Sequence, residues 1–395
     1  MDQSDPIVIV SAARTPMGGF QGDLSPLTAS QLGGAAINAA LSRGGVDPSA
    51  VDEVVMGCVL PAGQGQAPAR QAGFAGGLAD SVPATTVNKM CGSGMKATMQ
   101  GCDQLLCGDA RVVVTGGMES MSNAPYLLPA MRGGARLGHG QTQDHMFLDG
   151  LEDAYEPGRL MGSFAEDCAE HYQFSRQDQD GYALESLDNA LRAQTAGDFD
   201  REICAVTVRT RKAENTIDRD EQPAKASPDK IPLLKPAFKP DGSVTAANAS
   251  SISDGAAALV LMRESEARAA GLSVRARILS RASHAQAPGW FTTAPVPAAQ
   301  RALDRAKLAV SDIGIFEVNE AFAVVPMAFM REFGVGRERV NVNGGACALG
   351  HPIGASGARI LVTLLHAMEH RDQEFGLAAI CIGGGEGAAV VLQRA

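Results

Sequence analysis

Cys91 lies in the run Thr85-Thr86-Val87-Asn88-Lys89-Met90-Cys91-Gly92-Ser93-Gly94-Met95-Lys96-Ala97, where a β-branched stretch meets two glycines and a helix-compatible segment (Met95 to Leu106) follows. A cysteine at such a junction sits beside backbone N–H groups left unpaired by a helix start, at the positive end of the helix; both favour thiolate over thiol. The glycines remove bulk where a carbonyl would approach the sulfur. A lone cysteine is most often a small buried hydrophobe. Gly92–Ala97 also fits the GxGxxA dinucleotide pattern, but the acidic residue needed about 20 positions on is replaced by Val112-Val113-Val114. The far end of the chain favours the nucleophile. His351 stands in Asn343-Gly344-Gly345-Ala346-Cys347-Ala348-Leu349-Gly350-His351-Pro352-Ile353-Gly354-Ala355-Ser356-Gly357-Ala358, on a glycine-flanked turn before a helix from Ala358 to about His370. Cys381 ends the apolar strand Leu377 to Ile382 and opens Gly383-Gly384-Gly385-Glu386-Gly387. Three reactive residues wrapped in glycine are a constellation rather than a coincidence.

The elements that must position them occur twice in one order. The first half has strand Ile7 to Val10, a helix from about Leu27 to Ser42, strand Val51 to Met56, the Cys91 turn and its helix, strand Arg111 to Thr115, and Gly116-Gly117. The second has strand Ala276 to Ser280, a helix near Pro297 to Ala309, strand Ile315 to Val318, the His351 turn and its helix, strand Leu377 to Ile382, and the glycine loop. This alternation predicts an α/β fold, and the duplication puts Cys91 and His351 at equivalent positions of two packed halves. A long insertion, 122–250, separates them, with helix-like stretches at Met161 to Gln173 and Arg176 to Ala196. The expected division is 1–121, completed by about 251–273, then 122–250, then 274–395.

With 395 residues and 45% hydrophobic content the chain can bury two substantial cores. Forty-five glycines without a repeat suit tight βα turns. The start, Met1-Asp2-Gln3-Ser4-Asp5-Pro6, reads as neither signal nor transit peptide, and no apolar run approaches a membrane span. Eight cysteines with no CxxC pair fit a reducing cytoplasm and no metal site. A net charge of −10 argues against nucleic acid. It is awkward for a polyanionic ligand, yet between Arg201 and Lys239 nine Lys or Arg face six Asp or Glu, a local +3 that can draw in phosphates.

At this point the sequence resembles the thiolase family over nearly its whole length. The matching stretches are Ser11-Ala12-Ala13-Arg14-Thr15-Pro16, the Cys91 motif, Gly116-Gly117-Met118-Glu119-Ser120-Met121-Ser122, Asn248-Ala249-Ser250, Asn319-Glu320-Ala321-Phe322-Ala323, and the His351 and Cys381 motifs. The resemblance implies two similar halves in a five-layer αβαβα sandwich, with 122–250 as a loop domain covering the active site and binding coenzyme A. Pro125 to Asp149 resembles the segment that joins dimers into tetramers. The implied chemistry is reversible Claisen condensation and thiolysis, with CoA thioesters as substrates and no cofactor. Cys91 forms the acyl-enzyme, His351 takes its proton and Cys381 moves the α-proton. The N–H groups of Cys91 and Gly383 hold the tetrahedral oxyanion, while His351 and a water fixed by Asn319 polarise the thioester oxygen. An asparagine before Ala321-Phe322-Ala323 is also a natural helix cap. By the same resemblance Ser250, Phe238, Ala246, Ala321 and Phe322 touch CoA, Lys225 is a basic contact, and Met161 and Phe291 wall the acyl pocket.

Four positions depart from the family pattern: Leu160 where histidine is frequent, Ser251 in place of glycine, Cys347 in place of an aliphatic residue, and Glu386 in place of Met or Gln. None replaces Cys91, His351, Cys381 or Asn319. The favoured reaction is two acetyl-CoA to acetoacetyl-CoA and CoA. The alternatives are a 3-ketoacyl-CoA thiolase of fatty-acid or aromatic-acid breakdown and, more remotely, a non-catalytic acyl-CoA carrier.

Overall fold

The computed structural model describes residues 5–211 and 213–395. Met1 to Ser4 of the acidic start, and Lys212 of the basic segment, lie outside the described residues. The first half runs through β1 (Ile7–Arg14), α1 (Ala29–Gly44), β2 (Glu53–Gly57), α2 (Pro68–Ala75), β3 (Ala84–Val87), α3 (Ser93–Cys107) and β4 (Val112–Ser120). An excursion follows, carrying α4 (Met161–Tyr172), α5 (Arg176–Ala196) and two short hairpins. The chain then returns as β5 (Ser253–Arg263), antiparallel to both β1 and β4. The second half is β6 (Ala276–Ala285), α6 (Pro295–Ala306), β7 (Ile315–Val318), α7 (Val324–Phe333), α8 (Ile353–His370), β8 (Phe375–Ile382) and β9 (Glu386–Arg394).

These strands join in the order β7-β8-β9-β6-β1-β5-β4-β2-β3. Among the described residues, β1 and β6 pair through Val8↔Arg277 and Ile9↔Ala276. Outward from that seam each half reads alike: its first strand, its last, then a parallel pair, β4 with β2 and β8 with β7. Helices α1 and α2 cover the outer face of one half-sheet, and α6 and α7 that of the other. Between them lie α3 and α8, whose Met95, Met99, Ile360 and Leu364 share a core with Ile9, Leu259, Ile380 and Val390 of both half-sheets. That is the five-layer αβαβα arrangement.

Two of the helices open on side-chain caps, and the two central ones do not. Helix α1 opens on a Thr28/Gln31 capping box and α5 on a Ser175/Asp178 box. Helices α3 and α8 begin at Gly92 and Pro352 with no side-chain cap. Helix α8 starts at Ile353, five residues before the predicted start, and Gly354 and Gly357 lie inside its first turns as contact points. A Cβ on Gly357 would lie 2.5 Å from the Met95 backbone nitrogen, and one on Gly94 would lie 2.8 Å from that of Ala358. Strand β9, not foreseen, follows from the glycines at 384 and 385, whose φ of 88° and 84° close a three-residue hairpin. The excursion is tied down by Arg14, fully buried, which bonds Glu202 at 2.5 Å and Asp220 at 2.6 Å and lies over the Phe199 ring.

The helix crossing supplies a test with an internal control. Gly357→Ala should gain up to about 1 kcal/mol of helix propensity but drive a methyl into backbone, where overpacking costs about 1–3 kcal/mol. The expected net is a lower melting temperature. Gly181→Ala, inside α5 with no atom within 4 Å of the new methyl, should raise it. Calorimetry on the two variants reads the signs.

Candidate active site

Cys91 precedes α3 by two residues, on a turn whose Met90 holds φ 47°, a left-handed conformation that costs a side-chain-bearing residue energy. The turn is over-determined. The Lys89 N–H donates to Ser93 Oγ at 2.8 Å, Ser93 Oγ donates to the Met90 carbonyl at 2.6 Å, and the Met90 N–H donates to Asn88 Oδ1 at 3.0 Å. The Cys91 sulfur, on a partly accessible residue, faces two backbone N–H groups, those of Gly383 and of Cys91 itself. These donors pull the thiol down, but burial outweighs them and holds it at about 11. The resting thiolate expected from the helix start is therefore not what this site holds.

His351 sits at the equivalent place before α8. Its Nδ1 lies 2.5 Å from Ser356 Oγ, and that hydroxyl donates its one hydrogen to the Pro352 carbonyl at 3.0 Å. With its hydrogen on that carbonyl, the hydroxyl accepts from Nδ1–H, and we assign on that basis the neutral tautomer with a lone pair on Nε2. Nε2 is buried and without a partner among the described residues. Burial, with a smaller push from the Arg359 charge, lowers His351 to about 3. His351 is therefore neutral at physiological pH. Its backbone N–H is held by the Ser251 carbonyl at 3.1 Å and Ser253 Oγ at 3.2 Å.

Cys381 is fully buried at the end of β8, and burial first, then proximity to Cys91, push its thiol well above the ordinary range. Asn319 follows β7 with its N–H on the Ala379 carbonyl at 2.9 Å. Both polar atoms of its side chain are buried and unpartnered among the described residues, and α7 does not begin until Val324, so Asn319 is not that helix's cap. Cys91, Gly383 and Cys381 thus meet at one place, with the N-terminal end of α8 packed on that of α3.

The residues assigned to CoA and the acyl group fall beside it. Ser250 donates its N–H to the Ala321 carbonyl at 2.9 Å, and Ala249 bridges to Phe322. Phe322 meets Phe238 and Phe291 edge-on, with ring centroids 6.0 and 6.4 Å apart. The Met161 sulfur faces Gly383, 3.6 Å from where its Cβ would be, and Leu160 immediately precedes it at the α4 start. A cavity of about 270 Å³ next to Ser251 and Cys347 is lined by Ala246, Lys225, Lys230, Leu187 and Ile231. The basic field is weaker than its count: Lys225 bonds Glu221, Arg209 bonds Glu214, and Arg201 and Lys239 lie near Glu369 and Glu170.

Sequence reasoning missed the supports. Ser356 stood inside the quoted histidine motif without a role. Buried Glu119 accepts from the N–H groups of Val59 (2.9 Å), Leu60 (3.1 Å) and Gly354 (2.8 Å), joining the loop after β2 to the first turn of α8. Buried Glu320 accepts from Tyr182 Oη, Ser186 Oγ, Asn341 Nδ2 and the Cys347 N–H, tying α5 and the histidine loop to Asn319. An acid inside an apolar, glycine-rich motif was the available signal, since unpaired carboxylates are not buried there.

Paired half-sheets with a cysteine, a histidine and a second cysteine around a helix crossing define a thiol-dependent acyl-transfer fold. Residues 7–265 match the thiolase N-terminal domain and residues 272–394 the thiolase C-terminal domain. The chain is 50% identical over 390 residues to the acetyl-CoA acetyltransferase of Pseudomonas aeruginosa, covering 98% of this chain and 99% of that one. It is 51% identical over 389 residues to that of Escherichia coli (98% of each) and 48% over 390 to that of Cupriavidus necator (98% and 99%). The chain belongs to the thiolase family.

Two predictions follow from His351. Ser356→Ala removes the acceptor that fixes the tautomer, and should lower kcat by about tenfold to a hundredfold, by analogy with the loss of other imidazole-orienting partners, with the fold intact by circular dichroism. The second concerns stability. The native value lies near 3 against 6.5 unfolded, so only the unfolded chain takes up this proton as pH falls below about 6.5, and stability is lost in that direction. His351→Gln should therefore lose less stability than wild type between pH 7.5 and 5, by about 2 kcal/mol at most. Comparing the two proteins cancels Glu119 and Glu317, which burial raises to about 7 and 8 and which act in the opposite sense. Urea titrations at the two pH values read it.

Proposed function

We propose that this chain catalyses the reversible condensation of two acetyl-CoA to acetoacetyl-CoA and CoA, through an acetyl group carried on Cys91. The observation that carries this reading is the Cys91 sulfur held before the N–H groups of Cys91 and Gly383, where a tetrahedral oxyanion on an acylated sulfur would need donors. The acetyl-CoA acetyltransferase names of the relatives support the substrate.

In the first half-reaction the Cys91 proton passes to His351 Nε2 as the sulfur attacks the thioester carbonyl. Charging either group alone is costly in this buried place. Moving the proton charges both at once, and their attraction offsets the two desolvation costs. Collapse breaks the carbon–sulfur bond to CoA, which leaves with the proton from His351. With Cys91 acylated, no thiolate can form there to oppose ionisation of Cys381. In the second half-reaction Cys381 yields its proton to His351, again neutral, and takes an α-proton from the second acetyl-CoA. The imidazolium and the Asn319 amide, through a water, face the enolate oxygen. The enolate carbon bonds to the acetyl carbon, Cys91 leaves as thiolate, and His351 reprotonates it. Protons balance and no cofactor is required.

Ser250, Phe238, Ala321, Phe322 and Ala246 are assigned to pantetheine and adenine, with Lys225 and Lys230 toward phosphate, and Met161 and Phe291 to the acyl wall. No helix among the described residues is long and apolar enough to cross a membrane, and we place the enzyme in the cytoplasm. Exposed Tyr126, Leu128, Met131 and Leu137 cluster in the segment assigned to tetramer assembly, which supports a homotetramer.

Mass spectrometry of the intact protein with acetyl-CoA should show one labile acetyl group, absent from Cys91→Ala; an adduct persisting in that variant rejects the nucleophile. Cys381→Ala should still acetylate but lose exchange of the acetyl-CoA methyl protons with deuterated water. Retained exchange would assign the α-proton to another base.

A further inference from the structure

The two N–H groups at the Cys91 sulfur come from separate segments, the 88–92 turn and the 383–385 hairpin, and no backbone hydrogen bond joins these segments among the described residues. Their spacing is left to side chains. One contact is steric: a Cβ on Gly92 would fall 2.4 Å from Ile382 Cδ1, so Gly92 lets the turn rest directly on the end of β8. The other is ionic. Lys89 Nζ bonds Glu386 Oε2 across the gap. Lys89 is two residues before Cys91. Glu386 is three after Gly383 and sits opposite Ile382 in the first rung of the hairpin, so it moves with the glycine loop. Both side chains are partly buried, at 22% and 35% exposure.

We propose that Lys89 and Glu386 are positioning residues, an electrostatic staple that fixes the distance between the Cys91 and Gly383 N–H groups and so sets the geometry of the oxyanion site. This rests on the acyl-Cys91 reading above. Backbone donors act only when they reach the oxygen that develops charge. A three-glycine hairpin has little intrinsic stiffness, and a Met90 held left-handed gains from an outside restraint. A half-exposed ion pair adds little to global stability, so its effect should appear in rate and not in melting temperature. Glu386 stands where Met or Gln is common in the family, and neither of those could pair with Lys89 ionically.

The test uses Glu386→Gln, Lys89→Gln and the swap Lys89→Glu with Glu386→Lys in the full-length enzyme. Each single variant should lose about fivefold to thirtyfold in kcat, less than the hundredfold or more of a deleted donor. KM for acetoacetyl-CoA should stay within about twofold, and melting within a few degrees of wild type. The swap should recover most of the lost kcat. Raising NaCl from low to high should reduce kcat at saturating substrate in wild type but not in Glu386→Gln, since salt screens the pair. Single variants with wild-type kcat, or a swap no better than the singles, overturn the staple. A rise in KM with kcat unchanged also overturns it and makes Lys89 a direct contact to CoA. Acetylation of Cys91 is measured alongside by mass: its absence in wild type would reject the acyl-enzyme, whereas normal acetylation rates in the singles reject only the staple.

Discussion

The site depends on how closely α3 and α8 approach at their first turns. Gly94 and Gly357 let the backbone of each helix rest on the other, and no larger residue leaves that space. Cys91 and His351 lie just before those turns, so the crossing brings the two segments that carry them, one from each half of the chain, toward one place. The half-sheets, joined where β1 pairs with β6, are held around the crossing by the shared core of Met95, Met99, Ile360 and Leu364. Glu119 then fixes the first turn of α8 to the loop beside Cys91 through three N–H groups.

Burial is the second consequence of that packing, and it governs the chemistry. A dry crossing raises both thiols and lowers His351, so the resting site holds three neutral groups. The N–H donors act on Cys91 in the direction that simple placement suggests, but desolvation is larger. Proton movement must then accompany substrate binding. A neutral His351 with its lone pair set by Ser356 is a competent acceptor in that state. It is also a stronger acid once protonated than an exposed imidazole, which suits return of the proton to a leaving thiolate.

Much of this was legible in the chain. The alternation of strands and helices in both halves, α5 to the residue, and the equivalence of Cys91 and His351 followed from the pattern and from glycine-flanked reactive residues, while α2, α7, β5 and β9 were not foreseen. Ser250, Ala321 and Phe322, distant in sequence, proved adjacent. What escaped was of two kinds. The partners of the glycines at the start of α8 escaped, since they lie far off in the chain: Met95 of α3 for Gly357, Glu119 and Cys58 for Gly354. The direction of the pKa shifts escaped because charge next to a helix start is a local fact, but desolvation is set by everything packed around it. Ser356, Glu119 and Glu320 were visible as letters, yet their roles depend on which N–H groups tertiary structure brings to them.

The central claim is that His351 rests as the neutral Nδ1–H tautomer, with Nε2 free to accept the Cys91 proton. Nitrogen-15 NMR of the imidazole in selectively labelled enzyme, recorded from pH 5 to 8 with the His351 resonance assigned by substitution, measures this directly. The account predicts a protonated Nδ1 and an unprotonated Nε2 whose shifts stay constant across the range. An imidazolium that titrates near 6.5, or a proton resident on Nε2, would contradict it.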